Sequence, residues 1–215
     1  RVLEIGTGWG ELSIRAARRG AQVTSITIST EQAALARERI DAAGFTDRAT
    51  VLLQDYRETQ GEFDAVVSVE MIEAVGANHW GEYFGTVDRL LAPRGRFGLQ
   101  AITQDDAAVR DSQDTYTWIR KYIFPGGQLP SVQSIDRTVA ESTSLRVADR
   151  YMFGRHYAET LRRWRATFDA RSEEVAALGF DETFRRMWSL YLAYSEAGFR
   201  AGYLDVGQYT LVKSA

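Results

Sequence analysis

The sequence predicts an α/β domain built on a doubly wound, mostly parallel sheet. Three observations carry this reading. An apolar strand at Val2, Leu3 and Ile5 runs into Gly6-Thr-Gly8-Trp-Gly10 and then into a helical stretch. A glycine turn at that point of such a sheet lets a ligand approach the backbone closely. Strand-like and helix-like segments then alternate as far as Ile102, the rhythm of a parallel sheet with crossover helices. Finally, Phe63 to Val69 is nearly all apolar, as a strand covered on both faces should be.

The elements follow in order. Residues 11–19 place Leu12, Ile14, Ala16 and Ala17 at helical positions, and Gly20 suits the C′ site. Gln22 to Ile28 reads as a strand. Ser29 and Gln32 form the signature of a capping box that opens a helix to about Ala43, stopped by Gly44. Residues 50–54 and 63–69 are the third and fourth strands. A helix over 79–91 leads through a Pro93/Gly95 turn to a fifth strand, Arg96 to Ile102. Residues 103–143 break the rhythm and read as an insertion over the C-terminal edge of the sheet. Residues 144–153 are expected to be a sixth strand, 156–177 and 181–199 helices, and 207–212 a closing strand.

At 215 residues the chain is one domain, or one domain with a sizeable insertion. The net charge of −3 gives no pointer to nucleic acid. The absence of cysteine excludes disulfides, thiolate nucleophiles and cysteine metal sites, and fits a reducing compartment. No apolar run in these residues is long enough to span a membrane, and no signal peptide is expected within them. The chain opens abruptly on a core strand, so an N-terminal part is expected to be missing. Neither His79, placed just before a helix at the surface, nor His156 has partners at metal-ligand spacing, and no zinc site is expected.

The glycine spacing narrows the ligand. A dinucleotide fingerprint needs a third glycine where Glu11 stands, and an acid at a helix start repels a pyrophosphate. Glu4-x-Gly6-x-Gly8-x-Gly10 instead resembles motif I of class I methyltransferases, which bind S-adenosylmethionine. A glycine turn in another α/β protein is the bland alternative.

Further stretches sharpen the resemblance. Ile26-Thr-Ile-Ser-Thr-Glu-Gln, Leu53-Gln-Asp-Tyr-Arg, Phe63-Asp-Ala-Val-Val-Ser-Val-Glu-Met-Ile-Glu-Ala-Val-Gly, Lys121-Tyr-Ile-Phe-Pro-Gly-Gly-Gln-Leu-Pro-Ser and His156-Tyr-Ala-Glu-Thr-Leu-Arg-Arg-Trp are similar to segments of the cyclopropane-fatty-acyl-phospholipid synthase and mycolic acid cyclopropane synthase family. They occur in the family's order over essentially the whole chain; the family's N-terminal segment is expected to be missing from it. The resemblance implies a class I methyltransferase, Rossmann-like fold in which 103–143 covers the lipid site. It implies S-adenosylmethionine as cofactor, bicarbonate as a catalytic ion, and an unsaturated phospholipid acyl chain as substrate. The alkene takes the activated methyl group, and loss of a proton from that methyl closes a cyclopropane ring. Such a cationic intermediate calls for a dry pocket with aromatic faces. Peripheral association with the inner membrane face from the cytoplasm follows from the substrate. The oligomeric state stays open, a homodimer included.

Carried over residue by residue, the resemblance assigns Glu4, Gly6, Gly8, Trp9 and Gly10 to the cofactor loop. Thr27, Ser29 and Gln32 follow the second strand, in place of the ribose-binding acid of many methyltransferases. Ser29 and Gln32 also read as a helix cap, with or without a second role. Gln54 and Asp55 end the third strand, where adenine contacts lie; for Asp55 a simple turn acid is the alternative.

The catalytic assignments are Glu73, the Ile102 backbone and Tyr157, the ligands of bicarbonate in the family. Three positions depart from the pattern: Gln100 stands for its His, Ala74 for the His of its Glu-His pair, and Glu70 for its Gly. Gln100 can hydrogen-bond an oxyanion but cannot titrate. Two carboxylates three residues apart at a strand-to-helix turn can push one pKa up and create a protein base. Glu70 or Glu73 is therefore a candidate to replace bicarbonate, with Glu70 as a cofactor ligand or a solvated acid as alternatives. A changed base leaves a methyl or methylene branch open beside the ring. Methylation of a polar small molecule, and a non-catalytic lipid- or cofactor-binding module, are the more distant readings. Arg162, Arg163 and Arg165 with Arg185 and Arg186 either face anionic headgroups or are solvated, ion-paired helix faces.

Overall fold

The computed structural model describes residues 1–112 and 117–214. Its seven strands are β1 (Val2–Ile5), β2 (Val23–Thr27), β3 (Ala49–Leu53), β4 (Phe63–Val69), β5 (Leu91–Gln104), β6 (Leu145–Met152) and β7 (Leu204–Lys213). They form one sheet in the order β3-β2-β1-β4-β5-β7-β6. The first five in that order are parallel neighbours, and β7 lies antiparallel between β5 and β6. The chain winds outward from β1 to β3 and returns to β4 on the other side of β1. This reversal makes a crevice at the C-terminal ends of β1 and β4, where doubly wound sheets bind ligands.

Three apolar clusters hold the layers together. Helices α1 (Glu11–Arg18) and α2 (Thr30–Ala42) bury Ile14, Ala17, Ala33, Ala36 and Ile40 against Val23, Ala49 and Val51. The opposite face carries α3 (Ile72–Val75), α4 (Trp80–Leu90) and, after the short α5 (Asp106–Ser112) and α6 (Trp118–Tyr122), helix α7 (Val132–Ser142). Tyr83, Phe84, Val87 and Leu90 of α4 and Ile135 and Val139 of α7 share a core with Leu3, Ile5, Val66, Phe97 and Leu99. The rings of Tyr83, Phe84 and Phe97 meet edge to face at 5.3–6.3 Å, a favoured aromatic geometry. Between β6 and β7 run α8 (Gly154–Ala170), α9 (Ser172–Ala177) and α10 (Glu182–Arg200). Ala158, Leu161, Leu192 and Phe199 close a third cluster over Val206.

Several boundaries differ from expectation. The helix expected over 156–177 is divided into α8 and α9, with Arg171 between them. The fifth strand starts at Leu91, and the Pro93/Gly95 turn is a loop within it. There β5 departs from register with β4 between Phe63↔Leu91 and Ala65↔Arg96, and Arg94 adopts φ 63°. β4 is covered on both faces along most of its length, with Phe63 and Val66 buried on opposite faces, but opens at its end, where Val69, next to the crevice, is 44% exposed. Segment 103–143 is only partly an insertion. Its last part, α7, is a core helix opened by a capping box in which Ser131 and Ser134 bond reciprocally. Residues 113–116 of that segment lie outside the described residues.

The glycine loop is set by close approach of the two helices. Gly10 caps α1 at φ 83°, and a Cβ there would lie 3.1–3.3 Å from Cβ, Cα and O of Ala36 in α2. Arg39 of α2 donates to the Trp9 carbonyl at 2.7 Å and to Glu11 at 2.9 Å, so α2 grips the loop from two sides. Gly10→Ala therefore combines a left-handed backbone with a backbone contact. It is expected to lower unfolding stability by about 1–3 kcal/mol in a denaturant titration.

Candidate active site

The loop after β1 is braced from beneath. Glu4, 5% exposed, accepts hydrogen bonds through one carboxylate oxygen from Ser13 of α1 and from Ser25 of β2, the latter at 2.7 Å. Ser25 also meets Thr7 Oγ1 at 2.7 Å. Burial pushes the Glu4 carboxyl upward, and the two serines oppose that shift. Above this brace the loop is open. Gly6 and Thr7 donate to the Ile26 carbonyl, while a Cβ on Gly8, at φ 51°, would meet no atom within 4 Å. Trp9 is 53% exposed.

The end of β2 holds a polar set of its own. Thr27 Oγ1 donates to Gln32 Oε1 at 2.8 Å and accepts from the Ser29 backbone at 3.1 Å. Ser29 Oγ caps α2 by accepting from Gln32 N at 3.1 Å. The expected capping box is thus half formed: the Gln32 side chain turns to Thr27 instead of back to the cap. Its amide NH2 has no protein partner among the described residues. Gln54 follows β3 and donates its N–H to the Thr27 carbonyl at 2.9 Å. Asp55 serves a turn: both carboxylate oxygens take hydrogen bonds from Arg57, which holds the Asp55 carboxyl below the usual range. Beside these ends stand two apolar side chains that the sequence reading missed, Ile28 at 80% and Leu53 at 51% exposure. Open glycine backbone, a free amide and apolar rims fit a nucleoside-bearing cofactor.

The five catalytic candidates meet in one corner at the end of β4. Glu70 has φ 51°, a left-handed conformation costly for any residue but glycine. Three hydrogen bonds hold it there. Its N–H donates to the Gln100 carbonyl at 2.8 Å, Gln100 Nε2 donates to Oε1 at 2.8 Å, and the Tyr157 hydroxyl donates to Oε2 at 2.9 Å. Glu73, on α3, accepts from Ile102 N at 2.7 Å through Oε1, while its Oε2 is buried without a partner. Burial raises the Glu73 pKa to about 7; two backbone N–H groups oppose the shift, and the charge of Glu70 adds a smaller upward push. Burial and Glu70 also raise Tyr157, which stays a protonated donor. Tyr157 is placed by α8, whose first residue, Gly154, donates to Asp205 so closely that a Cβ would collide with it. Its ring lies 4.9 Å from Phe199 and 6.1 Å from Trp164.

These bonds also test the expected bicarbonate. Ile102 N is committed to Glu73, and Gln100 Nε2 and Tyr157 OH to Glu70. Among the residues assigned to hold the ion, only the second N–H of Gln100 Nε2 is left as a donor, and two carboxylates face the same corner.

Two further residues complete the corner. Gln208 Nε2 donates to Gln100 Oε1 at 3.0 Å. Gln128 ties the 123–128 loop to α3: its N–H donates to the Glu73 carbonyl at 2.8 Å, and its Oε1 accepts from Ala77 N at 3.2 Å. From the corner an aromatic run leads outward, with Tyr191 against Phe124 at 5.7 Å and Trp188 at 5.1 Å. Beyond it, Trp118, Tyr122, Met187, Leu190 and Arg186 line a groove between α6 and α10.

The other arginines are engaged. Arg162 and Arg163 both bond Glu159, Arg165 bonds Glu196, and Arg185 donates to the Ser172 carbonyl. His156 is exposed in the first turn of α8, and His79 is exposed before α4, 3.4 Å from Glu82. No helix among the described residues is long and apolar enough to cross a membrane.

The Glu73 shift has a consequence for stability. The unfolded glutamate titrates near 4.5 and the folded one near 7. Between those values the folded state binds the extra proton. Stability therefore falls as pH rises through this window, by up to about 3 kcal/mol. Denaturant titrations at pH 5 and pH 8 are expected to show this loss, and Glu73→Gln to remove its pH dependence.

Comparison with known proteins agrees with this geometry. The family model for mycolic acid cyclopropane synthetase matches residues 1–209. Tuberculostearic acid methyltransferase UfaA1 of Mycobacterium tuberculosis is 56% identical over 212 residues, covering 99% of this chain and 50% of the relative. The cyclopropane-fatty-acyl-phospholipid synthase of Escherichia coli K12 is 39% identical over 211 residues, covering 97% of this chain and 52% of the relative. The chain thus spans about half the length of these relatives. The solved cyclopropane synthase MmaA2 from Mycobacterium tuberculosis superposes with a TM-score of 0.89 at 29% identity, covering 99% of this chain and 77% of that one. Mycolic acid cyclopropane synthase CmaA1, complexed with SAH and CTAB, gives a TM-score of 0.89 at 27% identity over the same shares. The sheet with its open glycine loop and the matching relatives together place the chain in the mycolic acid cyclopropane synthetase family of S-adenosylmethionine-dependent, lipid-modifying methyltransferases.

Proposed function

We propose that this chain carries the catalytic site of an enzyme that adds a one-carbon unit to the double bond of an unsaturated phospholipid acyl chain. In this reading a carboxylate of the protein takes the departing proton, and the product is a methylene branch. The carrying observation is the Glu70 carboxylate, which accepts from Gln100 and Tyr157, two of the positions the family resemblance gives to an anionic base.

The residues that would hold the cofactor are Gly6, Gly8 and Gly10 with Trp9, Thr27, Ser29, Gln32 and Gln54. Glu4 holds the loop from below, and Asp55 shapes the turn beside it. When bound, S-adenosylmethionine would supply the activated methyl: the alkene π pair would form the C–C bond as the methyl–sulfur bond breaks and its electron pair stays on the sulfur of S-adenosylhomocysteine. The aromatic run through Phe124, Tyr191 and Trp188 seats the acyl chain and excludes water that would trap the resulting cation. Glu70, fixed by two side-chain donors, receives the proton. Glu73 holds the Ile102 backbone and keeps its second carboxylate oxygen unpartnered in the same corner. The C–H electron pair left behind becomes either a ring bond or, after a hydride shift, the double bond of a methylene branch.

The similarity to a relative named as a tuberculostearic acid methyltransferase supports the branch. Ring closure is the second reading, favoured by the 39% identity to a cyclopropane synthase. Because the substrate lies in a bilayer, the protein works at a membrane surface, on the inner face in this reading.

The test is incubation of the full-length protein with methyl-labelled S-adenosylmethionine and vesicles of a mono-unsaturated phospholipid. Gas chromatography with mass spectrometry of the acyl chains is expected to find a labelled branch. A labelled ring would select the second reading, and unlabelled lipid with intact cofactor binding would refute both. Glu70→Gln is expected to reduce turnover about 100-fold, the scale of a lost general base, with the fold retained.

A further inference from the structure

Glu70 is gripped by Gln100, but an amide side chain has two ends of nearly equal shape and opposite hydrogen-bond character. With Nε2 toward Glu70 the contact is a charge-assisted hydrogen bond at 2.8 Å. With the amide turned over, two oxygen acceptors would face each other at that distance. Something must therefore fix the orientation of Gln100.

The partner that does so is on β7. Gln100 and Gln208 are directly opposed in the antiparallel β5–β7 ladder, so their side chains rise from the same face of the sheet. Gln208 Nε2 donates to Gln100 Oε1 at 3.0 Å, which leaves Gln100 Nε2 to point at Glu70. Donors then run one way, from Gln208 to Gln100 to Glu70, and Tyr157 closes the set from α8. Aligned hydrogen bonds of this kind reinforce one another. Gln208 itself is exposed and contributes nothing to the three apolar clusters, so packing does not account for its contact.

We propose that Gln208 is a positioning residue of the active site: it sets which end of the Gln100 amide faces Glu70, and thereby holds Glu70 where it receives the substrate proton. The inference rests on the reading of Glu70 as the proton acceptor.

The test compares Gln208→Leu, Gln208→Glu and Glu70→Gln in the full-length protein, measuring kcat, KM for S-adenosylmethionine and for lipid, the product and the thermal midpoint. Gln208→Leu removes the donor. Gln208→Glu, ionised, accepts from Gln100 and turns its oxygen toward Glu70. Both are expected to lower kcat about three- to tenfold, the scale of one hydrogen bond, with both KM values and the thermal midpoint unchanged. Gln208→Glu is expected to fall at least as far as Gln208→Leu. If Glu70→Gln loses turnover while Gln208→Leu keeps the parent kcat and product, the positioning role is overturned and the Glu70 reading survives. A rise in KM at constant kcat also overturns it, since Gln208 would then serve binding. If Glu70→Gln keeps full turnover, the Glu70 reading itself fails and takes the positioning role with it.

Discussion

A carboxylate held in a left-handed backbone conformation is the constraint around which this site is arranged. Glu70 stands at φ 51° at the end of β4, where a side chain costs about 1–2 kcal/mol relative to glycine. It stays there because β5 supplies a backbone carbonyl and an amide, and α8 supplies a phenol. Three residues on, the half-buried Glu73 accepts from the Ile102 amide. Two carboxylates in one corner repel each other, and their joint presence requires donors from several elements at once.

The fold delivers those donors from separate parts of the chain. The β4–β5 register brings Val69 beside Gln100, so Glu70 and Gln100 meet. The β5–β7 register places Gln208 opposite Gln100. The α8–α10 hairpin, pinned to β7 by the contact of Gly154 with Asp205, sets the Tyr157 hydroxyl over Glu70. On the other side of the switch point, α2 grips the glycine loop through Ala36 and Arg39. Glycine loop and acidic corner thus lie on adjacent parallel strands, β1 and β4, at one end of the sheet.

Much of this was legible in the sequence because it is local. Glycine spacing, the Ser29 cap and the apolar runs each express a backbone requirement within a few residues, and the first five strands followed from them. The acidic corner was legible through the departures at Glu70 and Gln100 from a family pattern. What escaped depends on cross-strand geometry. Gln208 sits in a strand with no motif, and only register places it opposite Gln100. Ser13 and Ser25 as the supports of Glu4 come from two elements, although a serine within the apolar run of β2 was a signal. Helix α7 was hidden because its capping box uses Ser134 where Glu or Gln is usual. The coverage expected over both faces of β4 failed at Val69, where the strand opens into the crevice.

In the proposed reading the protein's own carboxylate, not a dissolved ion, is the proton acceptor. The most direct measurement is the rate of label transfer from S-adenosylmethionine to unsaturated lipid in buffer freed of carbon dioxide, with bicarbonate then restored. A rate that is the same with and without bicarbonate is the predicted result. A rate that collapses in its absence and recovers on its return would contradict the account.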